Sequence, residues 1–242
     1  MKHAIGGLAL GAGLAALAAL AAAPRGVAEA FSARRNVLIL MFSTSNILTY
    51  AGLAAKINEM YAKRHGYSFE HLVDDERPGR PVWQKVFLVR DRLPKYDAVM
   101  WIDSDAIFND HTVPLDKWLD SPAEFIVSSD WPNGPSLCNT GTFICKNTPF
   151  GKDLMDRWAG MVDKGTYNTK FPFEQGALED LIRKLGKDSA RVKVLPAEEL
   201  NSIFGDVSRG QFKTFVMHLM ALPGSYREKV FTAWLKHNNV PV

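Results

Sequence analysis

Ala98-Val-Met-Trp-Ile102 is an unbroken apolar run that passes directly into Asp103-Ser104-Asp105 and then Ala106-Ile107-Phe108. Such a run fits a strand buried on both faces of a parallel sheet. The carboxylates stand at its carboxyl end, the edge where open α/β sheets collect ligands. In extended backbone, residues two apart point to the same side, about 7 Å apart along the chain. Two acids so placed repel each other unless a cation lies between them. Hard divalent ions such as Mn²⁺ or Mg²⁺ take one or two carboxylates together with phosphate oxygens. The competing reading is a strand-end turn with two solvated acids, since Asp-x-Asp is a common tripeptide.

The flanking sequence alternates strands and helices. Upstream, Val37–Phe42 reads as a buried strand, Ile47–Arg64 as a helix ended by Gly66, Tyr67–Val73 as a strand, and Val82–Leu93 as a helix stopped by Pro94. Downstream come a short helix at Leu115–Leu119, strands at Phe125–Ser128 and Thr142–Cys145, and helices at Pro149–Met161 and Glu174–Leu185. Strands at Arg191–Leu195 and Thr214–Met217 and a helix at Ser225–His237 follow. The early β-α-β-α-β order predicts an α/β fold with a Rossmann-like, mainly parallel sheet flanked by helices.

The chain has 242 residues, enough for one sizeable domain, with 47% hydrophobic residues, which excludes a disordered chain. Four of the 29 basic residues and one of the 26 acidic residues lie within the first 35, leaving 25 of each from Asn36 onward. A neutral body gives no electrostatic footprint for nucleic acid. Residues 1–35 read as a leader and 36–242 as a single domain. Ala4–Ala23 is an uncharged run of Ala, Leu, Gly and Ile, followed by Pro24 and by small residues in Ala28-Glu29-Ala30. A cleaved secretory signal is the first reading and an uncleaved signal-anchor, with membrane association, the second; a plastid-directed leader is the third. All three route the protein through secretory membranes.

Several motifs, taken in order, resemble glycosyltransferase family 34, which holds fungal α-galactosyltransferases and plant xyloglucan α-xylosyltransferases. They are Asn58-Glu-Met-Tyr61-Ala-Lys-Arg-His65-Gly66-Tyr67, Trp83-Gln-Lys85, the Asp-x-Asp strand, Asn139-Thr-Gly141-Thr-Phe143, Glu174-Gln175 and His218. The resemblance covers about Val37–Phe231. It implies the GT-A fold and a retaining transferase that moves galactose, xylose or a similar sugar from a UDP-sugar to a glycan hydroxyl with Mn²⁺ (or Mg²⁺). It implies a Golgi lumen or membrane setting.

The resemblance also implies roles. Asp103 lies on the nucleotide side, Asp105 on the metal, Ser104 between them, and His218 is a third metal ligand. Lys85 meets phosphate or ribose; its alternative is a solvated helix face, and that of His218 a packed core histidine. Ser43 and Thr44 suit uracil or ribose, or form a bare turn. Asn139 and Gly141 suit close approach of sugar hydroxyls, or an ordinary tight turn. Glu174 and Gln175 clamp the sugar or stabilise positive character at its anomeric carbon; acid capping of a helix N-terminus also fits them. Arg227 is the nearest equivalent of a basic residue that follows the late His and meets the phosphates. Trp131, beside Pro132 and Gly134, is a candidate sugar-stacking platform. Tyr61, His65 and Tyr67 read as packing residues.

Two further functions compete. One is a phosphohydrolase with Asp103 as nucleophile. The other is a carbohydrate-binding module that keeps the fold without turnover, suggested by the loop Leu219–Pro223, which lacks the Gly usual soon after the family's His. Cys138 and Cys145 either bridge across a hairpin in an oxidising compartment or remain two buried thiols.

Overall fold

β1 (Val37–Ser43) is buried along its length because its side chains alternate between two cores. Val37, Ile39 and Met41 enter one, and Leu38, Leu40 and Phe42 the other. That double burial is why the run shows no polar alternation. The computed structural model describes residues 35–74, 80–130, 136–203 and 214–242. The leader reading, save for Arg35, and the Trp131 platform with its turn therefore lie outside the described residues.

After β1 come α1 (Leu48–His65), β2 (Ser68–Val73), α2 (Gln84–Arg92), β3 (Ala98–Ile102) and β4 (Ala106–Phe108). Then follow α3 (Asp116–Leu119), β5 (Phe125–Ser128), β6 (Asn139–Lys146), α4 (Pro149–Ala159) and α5 (Glu174–Arg183). The chain continues through β7 (Val192–Leu195), α6 (Ala197–Leu200), β8 (Ser202–Ile203), β9 (Val216–His218) and α7 (Gly224–His237). Gly66 ends α1 in the left-handed conformation, at φ 66°.

A six-stranded sheet has the order β2-β1-β3-β6-β5-β7, and β6 alone runs against the others. A second sheet has the order β4-β9-β8. Helices α1 and α7 and the small sheet share one core; α2, α4 and α5 fill the other. The expected mainly parallel α/β architecture is what the chain adopts. Among the described residues, no helix is long and apolar enough to cross a membrane.

Two expectations need correction. Asn139–Gly141 is not a tight turn but the start of β6, which begins three residues before the strand expected at Thr142. Its ladder with β5 and β3 overrides the local turn preference of Asn and Gly. Cys138 and Cys145 are therefore not opposed across a hairpin. Cys138 stands just before β6 and Cys145 within it, seven positions of extended chain or about 23 Å further on, and both thiols are free and buried. The second sheet, with β4 and β8, and the short helix α6 were not anticipated.

The motif from Asn58 to Tyr67 is the clamp on β4. Asn58 is fully buried; its Nδ2 donates to the Ala106 carbonyl at 3.0 Å, and its Oδ1 accepts from the Phe108 amide at 2.9 Å. Tyr61 stacks on Phe108 with ring centroids 3.7 Å apart and donates its hydroxyl to the Val113 carbonyl. The Tyr67 hydroxyl accepts from the Leu115 amide, and the His65 ring stacks on Tyr67. These three aromatic residues are packing residues, as expected.

Asn58→Leu keeps the volume but strands one backbone donor and one acceptor of β4. Burying unsatisfied backbone groups costs about 1–3 kcal/mol each. Urea unfolding should show a loss of roughly 2–6 kcal/mol at unchanged slope; a loss below about 1 kcal/mol would mean that Asn58 does not hold this strand.

Candidate active site

The Asp-x-Asp carboxylates converge by a route other than strand pleating. β3 ends at Ile102, and Asp103–Asp105 form a tight turn closed by the Ala106 amide on the Asp103 carbonyl at 3.0 Å. The turn carries the chain out of the large sheet and into the small one. It is anchored at both ends: the Asp103 amide donates to the Gly141 carbonyl at 2.8 Å, and the Leu219 amide donates to the Asp105 carbonyl at 2.8 Å. Antiparallel pairing of β4 with β9 places Ala106 opposite His218 and so brings the imidazole beside the turn.

Asp103, Asp105 and His218 offer ligand atoms that all lie within 4.8 Å of one another. Two carboxylates and an imidazole are a donor set suited to Mn²⁺ or Mg²⁺. The site is also shaped for the ring. A Cβ on Gly141 would stand 2.2 Å from His218 Cε1, so only glycine leaves room for the imidazole.

Asp105 is held by two basic side chains. Its Oδ1 lies 3.1 Å from His218 Nε2, and its Oδ2 lies 2.5 Å from Arg227 Nη2. Burial alone would raise its pKa, but His218 and Arg227 outweigh burial and hold it at about 2. The same pairing acts on His218: burial favours the neutral ring, and the Asp105 charge overrides it and raises the pKa. Arg227 also donates to the Leu219 carbonyl and the Tyr50 hydroxyl, and its guanidinium lies over the Tyr50 ring.

Asp103 belongs to a second charge cluster. Trp101 Nε1 donates to its Oδ1 at 2.6 Å. Lys85 Nζ lies 3.0 Å from Asp103 Oδ1, 3.2 Å from Glu174 Oε1 and 3.2 Å from the Thr140 carbonyl. Three partners use the three ammonium protons, so Lys85 does not lie on a solvated helix face. Burial alone would lower its pKa; Asp103 and Glu174 reverse that and raise it. Glu174 is 4% exposed, and burial raises its pKa despite the ammonium. Thr140 joins the group: its hydroxyl donates to Glu174 Oε1 and its amide to Gln175 Oε1.

A cleft of about 160 Å³ opens at this edge. Ser43, Thr44, Lys85, Asp103, Ser104 and Asp105 line it together with Tyr50 and Trp101. Ser43 Oγ contacts both Ser104 Oγ and His71 Nε2, and Ser104 donates to the Phe42 carbonyl, so the two hydroxyls tie the ends of β1 and β3 together. Thr44 donates its hydroxyl to Asn46. Asn139, Gly141, Glu174, Gln175 and His218 do not line this cleft. Asn139 Oδ1 accepts from the Gly141 amide, and its Nδ2 donates to Asp130.

Sequence reasoning missed Tyr50, Thr140 and Asn201, and it missed the hydrogen bond by which Trp101 holds Asp103. The Trp101 contact was legible in principle, because residues two apart in an extended reading point the same way. The other three carry no local signal.

The model of the nucleotide-diphospho-sugar transferase family matches residues 53–232, and the chain belongs to that family. Xyloglucan 6-xylosyltransferase 1 of Arabidopsis thaliana is 33% identical over 118 residues, covering 43% of this chain and 25% of that protein. Probable glycosyltransferase 2 of Oryza sativa subsp. indica is 31% identical over 116 residues, covering 43% and 24%. The match thus spans about a quarter of these relatives' length. Among solved structures, a glycosyltransferase involved in glycosylation of the major capsid of PBCV-1 superposes with TM-score 0.69 at 17% identity, over 82% of this chain and 99% of that one. The galactosyltransferase LgtC, in complex with donor and acceptor sugar analogues, gives 0.53 at 14% identity, over 83% and 95%. These likenesses identify the fold as GT-A.

Gly141→Ala drives a methyl group into an imidazole fixed on both sides. The substitution should cost about 1–3 kcal/mol in thermal or urea unfolding and shift the His218 ring resonances in NMR spectra. Unchanged His218 resonances would show that the ring has slack the packing does not reveal.

Proposed function

We propose that this member of the nucleotide-diphospho-sugar transferase family moves a sugar such as xylose or galactose from a UDP-sugar to a hydroxyl of a glycan acceptor, with retention of anomeric configuration. The observation that carries the reading is the meeting of Asp103, Asp105 and His218 within 4.8 Å beside the cleft at the strand ends. Asp105 and His218 are 113 residues apart in sequence, so their approach is a product of the fold. The three would hold Mn²⁺ or Mg²⁺, which when bound supplies Lewis-acid stabilisation of the departing diphosphate.

The chain's own residues divide the remaining work. Ser43, Thr44 and Tyr50 wall the part of the cleft suited to the nucleoside. Arg227, paired with Asp105, is the basic residue that meets the phosphates. Lys85 keeps Asp103 ionised and in place. Glu174 is held by Lys85 and Thr140 and Gln175 by the Thr140 amide; the pair, with Asn139 and Gly141, serves the sugar from beside the cleft rather than from its lining. The composition of residues 1–35 favours entry into the secretory pathway, with a Golgi setting for glycan synthesis. The phosphohydrolase reading is disfavoured because Asp103 is gripped by Trp101 and Lys85, a poor arrangement for a nucleophile.

A screen of UDP-sugars with Mn²⁺, scored by UDP release with and without glycan acceptors, tests the reading. Acceptor-dependent release supports a transferase; UDP binding with no release from any donor supports the binding-module alternative. Asp105→Asn should abolish Mn²⁺-dependent UDP binding while the domain stays folded, and retained metal-dependent affinity would remove the site assignment.

Metal uptake should also depend on pH with a definite sign. The Asp105 carboxylate raises the His218 pKa, so protons compete with a cation for the ring. Mn²⁺ affinity should fall as pH falls, and calorimetry in buffers of different ionisation enthalpy should report net proton release. Proton-neutral binding would exclude His218 as a ligand.

A further inference from the structure

His218 has two ring nitrogens with different neighbours. Nε2 faces Asp105 Oδ1 at 3.1 Å, and Nδ1 lies 2.6 Å from Asn201 Oδ1. Asn201 is fully buried and His218 is 3% exposed, so no water competes for that inner contact. We propose that Asn201 is the positioning residue of the metal site: its amide oxygen accepts the Nδ1 proton, fixes the tautomer and reserves the Nε2 lone pair for a divalent cation. This rests on the reading of Asp103, Asp105 and His218 as metal ligands.

The backbone around Asn201 is built to hold the amide still. α6 ends there, with the Asn201 amide donating to the Ala197 carbonyl at 2.8 Å. The next residue begins β8, which pairs in parallel with β9 and so runs beside His218. On the helix side, the Thr142 hydroxyl donates to the Leu200 carbonyl at 2.6 Å; on the strand side, the Ser202 hydroxyl donates to the Glu198 carbonyl at 2.9 Å. Opposite, the missing side chain of Gly141 gives the imidazole its slot. The ring is boxed on three sides, with its metal-facing nitrogen left outward.

The amide's other end strengthens the argument. Asn201 Nδ2 is buried with no hydrogen-bond partner. A residue kept only for stability would gain from an apolar replacement, because an orphaned buried donor costs free energy. Retaining the amide makes sense when the oxygen has a task that leucine cannot perform. Turning the amide around would offer Nδ1 a donor, push the ring proton onto Nε2 and block the lone pair a cation needs.

The test is Mn²⁺ binding by the full chain in the presence of UDP, read from loss of the free-ion EPR signal. Asn201→Leu should weaken binding about 10- to 100-fold, the usual cost of losing such a partner. Asn201→Asp keeps the acceptor oxygen and should bind within about threefold of the parent or more tightly. A purely structural role predicts the reverse: leucine harmless, and aspartate damaging as a buried charge.

Unchanged binding by Asn201→Leu, or equal loss in Asn201→Asp, overturns the proposal. Should the leucine variant fail to fold, ¹⁵N spectra of the parent loaded with Mg²⁺ and UDP decide. A proton on His218 Nδ1 supports the assignment, and a proton on Nε2 refutes it. Parent protein that takes up no Mn²⁺ sinks the metal reading itself, whereas normal uptake by parent and leucine variant alike sinks only the role of Asn201.

Discussion

A single tight turn, Asp103 to Ala106, sets the geometry of everything around it. Backbone hydrogen bonds fix the turn from two directions, one from the large sheet through Gly141 and one from the small sheet through Leu219. Neither sheet alone would suffice. β6 must run antiparallel to β3 to present the Gly141 carbonyl to the Asp103 amide, and β9 must run antiparallel to β4 to present His218. The small sheet is in turn held by Asn58 and Tyr61 of α1. The site is therefore a junction between two sheets rather than a feature of one strand.

Charge balance at this junction is local. Asp103 is neutralised by Lys85 and Asp105 by Arg227 and His218, so the two carboxylates coexist with separate counter-ions. Buried ion pairs cost desolvation, and removing one partner leaves a charge stranded in low dielectric. Lys85 carries the heavier load, because Glu174 and Asp103 share its one ammonium. The hydroxyl and carbonyl of Thr140 complete the coordination that keeps this cluster satisfied.

Much of this was legible from residues alone, where local chemistry and tertiary role coincide. β1 and β3 are apolar because both faces are buried, Gly66 stops α1 because only glycine takes its φ cheaply, and the paired acids advertise a cation. Legibility failed where tertiary context overrides local preference. Asn139 and Gly141 look like turn residues, yet ladder bonds to two neighbours pull them into β6. α6 has four residues and β8 two, too short for any period to register. Lys85 reads as a phosphate or ribose contact or as part of a solvated helix face, and only the approach of β6 and α5 buries it between two carboxylates. Asn201 shows nothing in sequence, because its role exists only once β9 lies beside it.

The ladder between β4 and β9 has a consequence for biosynthesis. The turn aspartates leave the ribosome more than a hundred residues before the histidine that completes their trio, Asp105 and His218 being 113 positions apart. Loop closure over that span is entropically unfavourable until the intervening strands have packed. A nascent chain that ends short of β9 has its large sheet but also an unclosed corner with an uncompensated Asp105. Competence for ligand thus arrives only once β9 has been made, and quality control that senses ligand binding would be sensing closure of this corner.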